Sequence, residues 1–206
     1  MNTGDTLSLK VLTPRANPAV GLSDAKSYLR VDGTADDALI SGLVNAATDM
    51  VERVTRRSLI YQTFRMMLPT FPAGPIELPR SPAVAVNVGG AYDYALPRVR
   101  YYDTWGDLQA LTDGHYHLDL DNNPPSLQLL PMDYWPLTQP GRAKALEVDW
   151  VAGYGSFATQ VPPLLQQGVL MLVAHWYSNR EAVGQFGGEV PLAVDSILRI
   201  YSDGGF

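Results

Sequence analysis

The chain has 206 residues, of which 46% are apolar and 17% charged, enough to bury a substantial core in one generous domain or two small ones. The absence of cysteine excludes a disulfide scaffold, a thiol nucleophile and cysteine-ligated zinc or iron–sulfur centres. A net charge of -6 argues against sequence-independent grip on a phosphate backbone, which requires clustered Lys and Arg.

Residues 1–21 carry prolines and no sustained period and read as an extended arm; they lack the basic and apolar regions of a secretory signal. A short helix is expected at "LSDAKSYLRVDG", with Ser23 as N-cap, Ala25, Tyr28 and Leu29 facing inward, and Gly33 beyond its end. Lys26 stands where a capping box would place Glu or Gln. A second helix follows from Thr34, with Asp36 and Asp37 at its positive end and Arg53, Arg56 and Arg57 at its carbonyl end. Its apolar stripe comprises Leu39, Ile40, Leu43, Val44, Ala47, Met50, Val51 and Val54.

The period then falls to two. "IYQTFRMML", "VAVNV" (Val84, Val86, Val88) and "LEVDW" (Leu146, Val148, Trp150) alternate, while "RVRYYD", "HYHLDL" and "SLQLL" are strand-like runs between turn formers. One antiparallel sheet or small barrel is expected here. Helical spacing returns at "VPPLLQQGVLMLVAHWYSNRE", where Pro162 or Pro163 suits a first turn, and at "PLAVDSILRIY". The longest apolar helical run, Val169 to Val173, is too short to cross a bilayer. The fold class is therefore α+β: a helical bundle from the N- and C-terminal helices (22–57 and 160–201), with a β-rich antiparallel region (58–159) inserted and a flexible tail at 202–206. Leu43, Met50, Leu172 and Trp176 are expected to pack its core.

Three stretches invite a catalytic reading. In "LVAHWYSNREAVG", His175 and Asn179 are four apart and can meet on a helix, but Ser178 cannot join them, because adjacent helical residues do not face each other. Leu165, Val169, Leu172, Val173, Trp176 and Tyr177 follow the spacing of a buried face, so the stretch reads as a core helix running into a loop, with Arg180 and Glu181 in its last turn. In "HYHLDLD", His115, His117, Asp119 and Asp121 would share one strand face, as metal ligands could. Successive ligands would stand about 6.6 Å apart, and the bland alternative is a solvated face with Tyr116, Leu118 and Leu120 turned inward. "WVAGYGSF" lacks the Gly-Lys-Ser/Thr of a phosphate loop and reads as a glycine-assisted strand exit. No catalytic residue, metal site or cofactor is expected. The rivals are a metal-dependent hydrolase using His115, His117 or His175, and a carbohydrate-binding module using Trp105, Trp135 or Trp150.

Taken in order, "LSDAKSYLRVDG", "DDALISGLVNAATDMVERVTRRSLIYQTF", "IELPRSPAV", "WVAGYGS", "VPPLLQQGVLMLVAHWYSNRE" and "VPLAVDSILRIY" resemble the head-to-tail connector, or adaptor, proteins of long-tailed DNA phages, prophages and gene transfer agents. The resemblance runs from about Leu22 to Tyr201. Two departures stand out: Arg56, where many relatives have glycine, so that the turn after the second helix is expected to differ, and the glycine-rich loop "GQFGGEVP". The resemblance implies a non-enzymatic virion protein made in the host cytoplasm. Such proteins form a ring, typically of twelve copies, beneath the portal, and join it to stopper and tail proteins while DNA crosses the channel. A stopper or tail-terminator role in the same neck is the nearer alternative; four helices around a β region favour the adaptor. No membrane is involved. The C-terminal segment, with Arg199, Tyr201, Ser202, Asp203 and Phe206, is expected to reach the portal, since a polar, glycine-bearing end with aromatic anchors suits ordering on a partner.

Overall fold

Helices form early in the chain where the apolar spacing requires them: α1 spans Leu22–Leu29 and α2 Asp37–Thr55. The computed structural model describes residues 8–84, 98–111, 114–179 and 192–202. By its contacts the chain divides into two units, Met1–Pro14 with Gln62–Gly153, and Arg15–Tyr61 with Tyr154–Phe206.

The second of these holds the described helices: α1, α2, α3 (Pro163–Ser178) and α4 (Leu192–Ser202). Ile40, Val44, Ala47 and Val51 of α2 meet Leu165, Val169, Leu172 and Val173 of α3 and Val194 and Leu198 of α4 in one buried cluster. Pro162 caps α3 and Pro163 opens it, as proline's preset φ allows. The caps of α1 and α2 differ from expectation. Gly21, extended, is the N-cap of α1, so Ser23 already lies inside the first turn; Asp36 is the N-cap of α2, and Thr34 contributes only its backbone carbonyl, to Asp37 N–H at 3.3 Å. Lys26, the misfit in the capping box, instead reaches forward to Asp37 at 2.6 Å and to the Gly33 carbonyl, pinning the α1–α2 connection. Tyr28 is 42% exposed rather than inward, because Ala25 takes the buried position of this short helix. Beyond α2, the buried Glu52 carboxylate accepts Leu59 N–H at 2.8 Å and pairs with Arg15 at 3.3 Å, fixing the chain as it leaves the helix.

The turn after α2 does not differ from a glycine-built one. Arg56 occupies the left-handed C-cap conformation, φ 55°, in which glycine is the residue of choice. A side chain there costs about 1 kcal/mol. Arg56→Gly is accordingly expected to raise the stability of this unit by roughly 0.5–1 kcal/mol in thermal melts.

The other unit is antiparallel β-structure in two sheets, where one was expected. The larger runs β1 (Ser8–Thr13), β2 (Gln62–Leu68), β9 (Leu146–Ala152), β5 (Arg98–Tyr102), β6 (Leu108–Leu111), with β4 (Ala83–Val84) also on β9; the smaller runs β3 (Ile76–Glu77), β8 (Ser126–Leu129), β7 (Tyr116–Asp119). Residues 8–13, read from the sequence as part of an arm, pair with β2, Leu9 opposite Met66 and Val11 opposite Phe64. The alternation of β2 and β9 turns Phe64, Met66, Leu146, Val148 and Trp150 to a common core with Ile76, Leu127 and Val99. Leu120 is 46% exposed rather than inward, since β7 ends at Asp119 and the next residues turn. Val86 and Val88 lie outside the described residues. Among the described residues no helix is long and apolar enough to cross a membrane.

Candidate functional site

Most of the described residues that invited catalytic readings are engaged in structural contacts. His175 Nδ1 is 3.4 Å from Asn179 Nδ2, whose amide also caps the His175 carbonyl at 2.8 Å, closing the end of α3; Arg180 and Glu181 lie outside the described residues. His115 Nδ1 meets Asp133 Oδ1 at 3.2 Å, and His117 stands exposed on β7. The Asp119 carboxylate accepts from the Asn122 and Gln128 amides at 2.7 and 2.6 Å and from Asp121 N–H at 3.1 Å, an Asx-type turn. No group of three or more His, Asp or Glu among the described residues could hold a metal ion. In "WVAGYGSF" the amides of Ser156 and Phe157 are bonded to Gln160 Oε1 at 2.8 and 3.1 Å, and a Cβ at Gly155 would stand 2.2 Å from that side chain. Glycine is needed there for close approach of Gln160 to the backbone.

Around the C-terminal segment, α4 carries Arg199, 74% exposed at its side chain and paired with Asp195 at 2.8 Å, while Ser202 Oγ bonds the Arg199 carbonyl at 3.2 Å. Arg57 donates to the Tyr201 carbonyl at 2.9 Å, lies 5.6 Å from the Tyr201 ring centroid, and donates to Tyr154 Oη at 3.1 Å. Burial pushes the Tyr154 hydroxyl above its ordinary pKa, against the opposing pull of Arg57. This clamp ties the last turn of α4 to the exit of α2. Asp203 and Phe206 lie outside the described residues. Of the expected core, Leu172 is 1% exposed, and Leu43, Met50 and Trp176 are half-buried against it.

The tryptophans divide sharply. Trp150 is fully buried and stacked on Phe64, Trp135 stacks on Phe71 at 4.9 Å, and Trp176 packs in α3, whereas Trp105 is 89% exposed at the β5–β6 turn. That turn is stitched by Asp103, which accepts from Trp105 N–H at 2.9 Å, Asp107 N–H at 3.0 Å and the Gln109 amide at 2.9 Å. The Gln109 hydrogen bond, together with the backbone donors, holds the Asp103 carboxyl below its ordinary value, against opposing desolvation. The turn's stabilisation by Asp103 is thus complete above the usual Asp pKa of about 3.9 and lost only as pH falls through the lower folded value. Gln139 N–H bonds the Tyr102 carbonyl at 2.9 Å, and its amide lies against Gly106, joining the segment that carries Met132 (97% exposed), Tyr134 (85%) and Leu137 (80%) to the Trp105 turn. From the sequence Trp105 stands with Trp135 and Trp150 as a candidate of the carbohydrate-binding reading, with nothing in that reading to separate it from the two that pack inward. Its position on a turn, "DTWGD", was the available signal for exposure.

The family model for phage gp6-like head-tail connector proteins matches residues 20–94. No curated protein matches the chain. Among solved structures, a chain in the neck of an empty gene transfer agent particle, computed with C6 symmetry, is 23% identical, covers 94% of both chains and has a TM-score of 0.75. A chain of the virion of a native gene transfer agent particle is 23% identical with the same coverage and a TM-score of 0.72. A chain in the neck of a native particle computed with C12 symmetry is 22% identical, covers 93% of this chain and 94% of that one, and has a TM-score of 0.68. At such identities the likeness is one of fold. Over residues 20–94 the chain carries the pattern of the phage gp6-like head-tail connector family, the family its sequence blocks resemble.

Proposed function

We propose that this chain is a structural, non-enzymatic head-to-tail adaptor of a virion neck, a ring subunit seated beneath the portal and joined on its other side to stopper or tail-completion proteins. The observation that carries the reading is the coincidence of a connector family match on residues 20–94 with a fold shared over 94% of the chain with gene transfer agent neck chains. Twelve copies fit the C12 symmetry of one such neck. In this reading the N- and C-terminal helices make the bundle, with the β region inserted between them in the chain. The portal contact falls to the end of α4, at Arg199, Tyr201 and Ser202, and to Asp203 and Phe206 beyond. The Arg57 clamp sets where that segment departs.

DNA only passes through. The acidity of the chain suits a channel wall from which a phosphate polymer is repelled, and a basic wall in the assembled ring would remove this element. The subunit alone is monomeric or weakly associated, and the portal templates the ring by raising the effective concentration of neighbouring copies. Electron microscopy of the portal ring from the same locus, with and without this protein, tests the assignment: an added ring at the portal's tail-facing end is expected. The same ring is expected with His115, His117 and His175 all replaced by Ala. Failure to bind a folded portal, or loss of assembly in the triple variant, would send the search to another neck partner or to a histidine-dependent activity.

A further inference from the structure

Helix α2 is more apolar than its core needs. Ile40, Val44, Ala47 and Val51 are buried, and Leu39, Leu43, Ala46, Met50 and Val54 recur at spacings of four and three on the adjoining flank, where Leu39 is 41% and Val54 43% exposed, Ala46 is exposed, and Leu43 and Met50 are half-buried against the core with their outer edges in solvent. From Leu39 to Val54 this strip runs about 22 Å along the helix, and exposed Arg53 and Arg56 stand at its C-terminal end. The other unit exposes Trp105, beside Asp103 and Asp107 on the β5–β6 turn, and Met132, Tyr134 and Leu137 on the segment that Gln139 joins to that turn, all four at least 80% exposed. The two aromatics alone offer about 300–500 Å², and with Met132 and Leu137 the exposed apolar area of these two joined segments approaches the ~800 Å² that each partner gives to a standard interface. Its geometry is already fixed by the Asp103 hydrogen bonds, by Gln139 and by the Trp135–Phe71 stack, so little ordering entropy opposes binding.

We infer that these surfaces meet between copies: the Trp105 patch of one subunit seats on the Leu39–Val54 flank of the next, with Asp107 facing Arg53. Resting on the adaptor reading, this names the contact that closes the ring. The two surfaces differ, so the contact is head-to-tail, which a ring requires and an isolated two-fold dimer does not use. Apolar area supplies the affinity and the acid-to-arginine match fixes the register.

Because the chain has no cysteine, single-cysteine reporters are unambiguous. Thr104→Cys and Ala46→Cys variants, mixed and treated with a short bismaleimide, are expected to give a Thr104-to-Ala46 cross-linked dimer, and neither variant alone is expected to do so. The reaction is run at hundreds of micromolar protein and again on the portal ring. Adding Trp105→Ala to the Thr104→Cys variant should lower the yield at least tenfold. Asp107→Arg should lower it similarly and Arg53→Asp in the partner should restore it, a rescue that misfolding would not give. Rings on the portal without this cross-link, or cross-linking indifferent to Trp105, would overturn the contact while leaving the adaptor reading standing. Cross-linking without portal binding would uphold the contact and sink the adaptor reading, and absence of both ring and cross-link would overturn the two together.

Discussion

Trp150→Ala is expected to destabilise the β unit by about 3–5 kcal/mol, seen as a fall in the urea midpoint of the far-ultraviolet β signal. Trp150 is 0% exposed, stacks on Phe64 at 5.6 Å, and stands on β9, which pairs with β2, β4 and β5. Truncation removes the largest side chain of this core and leaves a void that a strand hydrogen-bonded on both edges cannot collapse to fill. Trp150→Phe separates volume from polarity. The buried indole N–H has no hydrogen-bond partner among the described residues, so Phe sacrifices no bond and removes a desolvation cost, while leaving a far smaller void than Ala. The Phe variant should therefore lose no more than about 1.5 kcal/mol. Equal losses in both variants would mean that the indole nitrogen has a bonding partner after all.

What the sequence made legible was local. The spacing of Ile40, Val44, Ala47 and Val51 gave α2, and the alternation through Phe64 and Met66 and through Leu146, Val148 and Trp150 gave β2 and β9 with their inward faces. Pairing was not legible. Residues 8–13 lack turn residues tying them to a neighbouring strand, and their partner β2 lies about fifty residues on, so nothing local announced β1. The division into two sheets depends on which short strands find an edge: β3 and β7 pair with β8, and none of the three with β9. The family resemblance came from blocks spread along the chain, each weak alone. Of its two departures, the loop "GQFGGEVP" lies outside the described residues, and Arg56 takes the left-handed conformation that suits glycine, so the turn keeps a glycine-compatible backbone. The width of the α2 stripe was read as core. Only the structure separates the buried Ile40, Val44, Ala47 and Val51 from Leu43 and Met50 at the core's margin and Leu39 and Val54 on the surface, because periodicity reports an apolar arc and not what covers it.

The second large effect is electrostatic. On the face of the larger sheet opposite its core, Arg65 holds Asp149 through two bonds, Nε to Oδ1 at 2.7 Å and Nη2 to Oδ2 at 2.8 Å, and Arg100 bonds Glu147 at 2.6 Å and approaches Asp149 at 3.6 Å. The hydrogen bonding to Asp149 raises the Arg65 pKa above its ordinary value against the opposing desolvation, so the guanidinium stays charged throughout any accessible pH range. The Asp149 side chain is only 9% exposed. Asp149→Ala would strand two guanidinium groups on β2 and β5, with Glu147 their remaining partner on β9. A fully buried pair broken on one side costs about 3–5 kcal/mol. Arg65 keeps 24% of its side chain in solvent, which lowers the expected loss to roughly 2–4 kcal/mol. Asp149→Leu combined with Arg65→Met should recover much of that loss, because no unmatched charge then remains between those strands and the apolar pair can pack across β2 and β9. A double variant no more stable than Asp149→Leu alone would show instead that the carboxylate acts chiefly through Arg100, and the same cycle run with Arg100→Met would locate the coupling there.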